Sequence, residues 1–162
     1  MAATPEDLFA HFERLGLAVA THHHAAAFTV EQGNEVWGAI PGIHCKNLFL
    51  KDAKARLWLV VAPADRRIDL KRLPERIGSA RLSFGSADLL RQVLGVEPGS
   101  VTPFALINDA DRRVSVVLDA WMMAQELLNY HPLRNTMTTT IRADDFRAFL
   151  ESTGHRPEVV EL

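Results

Sequence analysis

The stretch KNLFLKD-AKA-RLWLVVA, residues 46–62, decides the fold. Two apolar runs, Leu48 to Leu50 and Arg56 to Val61, flank Ala53-Lys54-Ala55, a short polar connection of the kind that closes a β-hairpin, so an antiparallel element is expected. Leu17–Ala20, Ala80–Phe84, Phe104–Ile107, Ser115–Leu118 and Thr136–Ile141 also read as strands. Three helices are punctuated in between. Thr4 can cap the first, Pro5 suits its opening position, Leu8, Phe12 and Leu15 share a face, and Gly16 can end it. Ser86 can cap a second carrying Leu89, Leu90, Val93 and Leu94 before Gly95. Phe146, Phe149 and Leu150 share a face of a third before Gly154. Strands outnumber helices and do not alternate with them, which argues against a doubly wound parallel sheet and for a mixed α+β domain.

The chain has 162 residues, 48% of them apolar, enough for one compact core. No repeat, low-complexity tract or linker breaks it, and residues 1–162 are expected to form one domain. The charge-rich segment Asp65–Arg76 also carries Ile68, Leu70 and Leu73 and reads as a surface helix with its loop. Eighteen basic residues stand against 20 acidic, a formal net charge of -2, so no global field draws the chain to nucleic acid and any grip on a polyanion must be local. The single cysteine, Cys45, allows no internal disulfide. The N-terminal stretch lacks the basic and apolar regions of a signal peptide, and no apolar run has membrane-spanning length. A cytoplasmic globular protein is expected.

Several chemistries lack their sequence signatures. There is no GxxxxGK[ST], no GxGxxG and no GxSxG, so neither nucleotide-driven chemistry nor the serine-hydrolase elbow is supported. His22-His23-His24 resembles a metal tract, but strand neighbours face opposite ways and at most His22 and His24 converge; with no HExxH or CxxC, no metal site is expected. His44 and Cys45 are likewise poorly placed to act as base and nucleophile, and Cys45 reads as a small half-buried residue. Three polar constellations remain: Lys46-Asn47 at a strand entrance, the loop Gly99-Ser100-Val101-Thr102-Pro103, and His131-Pro132-Leu133-Arg134-Asn135. Singly, each could be a solvated strand end or an ordinary turn.

In order, GIHCKNLFLKD, EPGSVTPFALIND and NYHPLRNTMTTTI resemble the YbaK/ProX family of aminoacyl-tRNA editing domains, most closely its free-standing Ala-tRNA(Pro) deacylases. The likeness runs from the FTVE stretch at Phe28 to the FRAFL helix. It implies a mixed, mostly antiparallel, partly curled sheet flanked by helices. It also implies an ester hydrolase that acts in translation fidelity, without a cofactor, by releasing alanine from mischarged tRNA(Pro). The implied partners are the acceptor 3′ end of tRNA and, for docking, prolyl-tRNA synthetase. By the same resemblance Lys46 lies against the terminal phosphates, accompanied by Asn47. Gly99 and Pro103 match a GxxxP loop whose backbone positions carbonyl and water, with Ser100, Val101 and Thr102 between them. His131 lies near the amino-acid end, and His24 and Thr29 are substrate contacts. This chain departs from its relatives in having Ala25-Ala26-Ala27 where prolines often precede the FTVE stretch, and Cys45 where threonine is common.

Ester hydrolysis needs a held carbonyl, a placed water and stabilised negative charge, with no obligatory protein nucleophile. Lys46 would fix a phosphate, Asn47 would offer donor and acceptor to the ribose or ester region, and His131 would orient the amine or the water. A pocket sized for a methyl group would exclude proline by clash. Lys51, Lys54, Arg56, Arg66, Arg67, Lys71 and Arg72 are candidates for acceptor-stem phosphates. Two alternatives differ in substrate or class: a deacylase for cysteine or serine, and a noncatalytic tRNA-binding module.

Overall fold

The computed structural model describes residues 1–26 and 38–162. Thr29 and the rest of the FTVE stretch lie outside the described residues. The strands are β1 (Val19–His23), β2 (Ile43–Asp52), β3 (Leu57–Pro63), β4 (Leu82–Phe84), β5 (Val114–Asp119), β6 (Leu127–Tyr130), β7 (Met137–Arg142) and β8 (Glu158–Val160). The helices are α1 (Pro5–Leu15), α2 (Leu73–Ile77), α3 (Ala87–Leu94), α4 (Ala120–Met123) and α5 (Ala143–Ser152), with a 3₁₀ helix at Pro103–Asn108.

The expected hairpin is present: β2 and β3 pair antiparallel from Lys51 opposite Leu57 to Cys45 opposite Pro63. Asp52 holds its turn. One carboxylate oxygen accepts from the Lys54 and Arg56 N–H groups at 2.9 and 3.0 Å, and the other accepts from the Trp58 indole at 3.1 Å. Strand β3 is buried on both faces, which explains its unbroken apolar run: Leu57, Leu59 and Val61 enter the main core, while Trp58 and Val60 enter a second core under Leu73 and Ile77 of α2.

From this hairpin the sheet extends both ways in the order β1-β7-β6-β2-β3-β5-β8, with β4 beside β2. The β2–β6, β3–β5 and β5–β8 pairings are parallel and the other four antiparallel, so the sheet is mixed as expected. The helix punctuation also holds. Thr4 and Asp7 form a reciprocal capping box, Ser86 accepts from the Leu89 N–H, and Gly16 and Gly95 end α1 and α3 at φ 70° and 67°. Among the described residues no helix is long and apolar enough to cross a membrane.

One element differs in kind. Phe104–Ile107, expected as a strand, lies within the 3₁₀ helix. Pro103 fixes φ at its first position and Thr102 Oγ1 accepts from the Phe104 N–H at 3.2 Å, which starts a helical turn. Phe104, Ala105 and Leu106 are all buried, and Phe104 meets Phe12, Phe149 and Tyr130 at ring separations of 5.0, 5.3 and 5.6 Å. The run is apolar because it is enclosed on all sides. Strands β6 and β8 and helix α4 are additional to the sequence reading.

Candidate active site

The site forms where the sheet divides. Strand β2 pairs with β6 only through Ile43–Leu128 and His44–Asn129, and β4 takes up the same edge only from Leu50. Among the described residues, no strand pairs with that edge of β2 between Cys45 and Phe49. Asn129 pins the point of divergence: its amide donates to the Pro41 and Ile43 carbonyls at 2.9 and 3.3 Å, and its Oδ1 accepts from Thr140 Oγ1 at 2.5 Å. Gly42 sits beneath this clamp at φ 101°, where an added Cβ would lie 2.9 Å from both Asn129 Nδ2 and Leu127 Cβ. Only glycine meets both constraints.

A small cavity, about 20 Å³, occupies the split, lined by His44, Cys45, Asn47, Asn129, Tyr130, His131 and Thr138. That is room for about one water. Asn47 Oδ1 is buried there without a hydrogen-bond partner among the described residues, a condition that costs about 1–3 kcal/mol unless a water or a ligand supplies the donor.

The surrounding groups have definite donor and acceptor roles. His131 Nδ1 lies 2.9 Å from the Met137 carbonyl; a carbonyl only accepts, so Nδ1 carries the proton and Nε2 keeps a lone pair. Burial lowers the His131 pKa from its ordinary value; the Met137 bond opposes this and neighbouring His24 reinforces it. His131 is therefore neutral near pH 7. His24 Nδ1 donates to the Ala25 carbonyl and its Nε2 hydrogen-bonds with Thr138 Oγ1, both at 2.8 Å. Held against His24, Thr138 Oγ1 keeps a lone pair for a donor in the pocket. Burial pushes the Cys45 thiol up to about 12, and it donates to the Ile43 carbonyl at 3.6 Å. It is protonated and no nucleophile, in keeping with the sequence reading.

The remaining sequence candidates fall around this pocket in different ways. Lys46 and Asn47 alternate along β2 and point to opposite faces of the sheet, so the lysine does not line the cavity that the asparagine does. Burial and Arg66 lower the Lys46 pKa, while Asp65 acts against them. Gly99, at φ 91°, lies against the segment after His131; a Cβ there would come 3.7 Å from Asn135 Nδ2. Ser100 is buried and lines a larger cleft with Leu133, Arg134 and Asn135. Val101 packs on the main core, Thr102 is buried and caps the 3₁₀ helix, and Pro103 opens it. The 131–135 segment thus joins the small pocket to the GxxxP loop. Of the proposed phosphate contacts, Arg66 is engaged elsewhere, donating to Asp119 and the Leu162 carbonyl at 2.9 and 2.7 Å. Among the described residues no three His, Cys, Asp or Glu side chains are grouped to hold a metal.

Asn129, Tyr130 and Thr138 were not singled out from sequence. Asn129 had a signal, a lone amide in the apolar run LLNY directly before His131. Thr138, one of three consecutive threonines, had none.

The mixed sheet with its flanking helices agrees with the comparisons. The chain belongs to the aminoacyl-tRNA editing domain family, which matches residues 24–149. Among its relatives is the prolyl-tRNA editing protein ProX of Acetoanaerobium sticklandii, 33% identical over 96% of this chain and 95% of that protein. The prolyl-tRNA synthetase associated domain-containing protein 1 of Danio rerio is 36% identical over 99% of this chain and 91% of its own. A crystal structure provisionally described as a trans-editing enzyme for prolyl tRNA synthetase shares the fold over 100% of this chain and 99% of its own, with a TM-score of 0.71 at 16% identity. The chain is thereby placed among the enzymes that edit aminoacyl-tRNA.

Proposed function

We propose that this protein hydrolyses the ester of alanine wrongly attached to tRNA(Pro), a mistake that arises because a synthetase pocket built for proline excludes a smaller amino acid poorly. The observation that carries the reading is the unpartnered, buried Asn47 Oδ1 in a cavity of about 20 Å³. The α-ammonium of the alanyl group supplies the missing donor to Asn47, with Thr138 Oγ1 as a second acceptor. The ammonium takes the one-water space and the methyl stays at its mouth. In proline the nitrogen is part of the ring, so it cannot enter without the ring, and it has fewer hydrogens to donate.

Water attacks the carbonyl carbon, the bond to the ribose oxygen breaks, and alanine and free tRNA leave; the ribose oxygen takes up the proton that the water gives up. His131, neutral with a free lone pair on Nε2, accepts a hydrogen bond from the attacking water. Backbone N–H groups of the Gly99–Pro103 loop polarise the carbonyl, with Gly99 leaving the approach clear. Lys46, on the opposite face of β2, holds a phosphate of the 3′ end. It therefore contributes to binding, while Asn47 and His131 contribute to the chemistry.

The test is amino-acid release from Ala-, Ser-, Cys- and Pro-tRNA(Pro). Alanine is lost fastest and proline is retained. Lys46→Ala raises KM by about tenfold, the usual worth of a charged hydrogen bond. Release of serine or cysteine ahead of alanine would reassign the substrate, and no release from any of the four would refute catalysis.

A further inference from the structure

A second polar groove, about 190 Å³, lies at the other end of the hairpin. Arg56, Arg112 and Arg156 line it, with Trp58 and a single carboxylate, Glu158. No acidic side chain lies within ion-pair distance of any of the three arginines among the described residues. In a chain of net charge -2, three unneutralised arginines around one groove are a local positive field that favours a polyanion.

The groove is held in shape from beneath. Asp109 and His155, each 2% exposed, meet at 2.8 Å and tie the turn before β5 to the segment before β8. Asp109 also accepts from the Arg113 and Val114 N–H groups, both at 3.0 Å, and His155 Nδ1 lies 2.8 Å from Thr153 Oγ1. This framework keeps Arg112 at φ 54°, a conformation that arginine rarely adopts. The Arg112 stem lies across Gly154, where an added Cβ would come 2.9 Å from Arg112 Cδ. On the opposite wall the Arg56 guanidinium stands 4.8 Å from the Trp58 ring centre. Two of the three cations are thus oriented by their surroundings, unlike solvated surface arginines.

Position on the sheet points to the occupant. Lys46 stands opposite Ala62, and Ala62, Val60, Trp58 and Arg56 alternate onto one face. The groove and Lys46 stand toward opposite ends of the hairpin, six residues of β3 or about 20 Å apart, with Trp58 and Val60 between them buried in the second core. That span covers about six successive phosphates of one strand of a duplex. We propose that the Arg56–Arg112–Arg156 groove binds phosphodiester backbone of the tRNA acceptor stem while the acylated end occupies the Asn47 pocket. This rests on the deacylase reading only for the polarity of the tRNA; the binding itself is testable without turnover.

The test uses the full chain with Arg112→Glu/Arg156→Glu, and separately Arg56→Glu, at the position whose guanidinium stands over the Trp58 ring. Affinity for uncharged tRNA(Pro) is measured across salt concentrations. The double variant is expected to bind at least tenfold more weakly, with a salt slope shallower by about 2, near 0.9 for each lost phosphate contact. Arg56→Glu weakens binding in the same direction, and both variants keep the wild-type melting temperature. In the kinetic arm, KM for alanyl-tRNA(Pro) rises with kcat unchanged, while a short alanylated CCA oligonucleotide, too short to reach the groove, is hydrolysed as by wild type. Affinity and salt slope within twofold of wild type would overturn the proposal, as would equal losses on tRNA and oligonucleotide. If the wild-type chain hydrolysed no aminoacyl ester, the deacylase reading would fall, and the binding arm would still decide the groove.

Discussion

Replacing Asn47 by alanine separates a ligand-binding role from a structural one. Its Oδ1 has no protein donor among the described residues, so the substitution breaks no side-chain hydrogen bond within the protein and loses only the packing of a half-buried side chain. Stability should hold, and for a chain of this size each kcal/mol moves Tm by about 2–4 °C. Catalysis should suffer, because a hydrogen bond from an ammonium to a neutral acceptor contributes about 1.5–3 kcal/mol. At about 1.4 kcal/mol per factor of ten, kcat/KM for alanyl-tRNA(Pro) falls about 10- to 150-fold. The assay pairs thermal melting with initial rates of alanine release under kcat/KM conditions. A structural asparagine would lower both together. A Tm drop of about 4 °C or more, or kcat/KM within threefold of wild type, would refute the reasoning.

Three further outcomes follow from the same geometry. Cys45→Ser keeps turnover within a few-fold, because the thiol is protonated and serves as pocket wall; in the folded wild-type protein Cys45 also resists alkylation at pH 8, and a dead serine variant would contradict water attack. Gly42→Ala combines a φ of 101° with contacts at 2.9 Å to the Asn129 clamp, and should cost about 2–4 kcal/mol, read as a lower Tm with activity lost in parallel. His131 has its pKa lowered by burial, so its ring proton resonance should titrate below the ordinary value of 6.5. Because the unfolded state then takes up the proton more readily, stability contributed at this site is present above pH 6.5 and lost as pH falls through the folded value; titration at or above 6.5 would show the ring to be solvated.

Local signals carried much of the fold. The hairpin turn, the Thr4 and Ser86 caps and the terminal glycines each follow from one or two residues, and each stands where the sequence placed it. The 3₁₀ helix was misread because an apolar run enclosed on all sides has no period, and the capping effect of Thr102 and Pro103 was assigned to a turn. Strands β6 and β8 are short, and β6 meets β2 and β8 meets β5 across long stretches of sequence, with only the β6–β7 pairing local. The site divides in the same way. Lys46, Asn47, Gly99 and His131 stood out because they sit in ordered motifs. That Lys46 and Asn47 face opposite ways depends on β2 continuing as a strand through both. The pocket itself depends on β2 parting from β6 after His44, which no local pattern records.

The account rests most directly on what fills the pocket at that division. A non-hydrolysable amide analogue of 3′-alanyl adenosine can be titrated into isotope-labelled protein while the Asn47 side-chain amide and the His131 ring nitrogens are followed by NMR. Saturable shifts of both are predicted, with a prolyl analogue shifting neither. Binding of the alanyl analogue that left Asn47 and His131 unmoved would contradict the account.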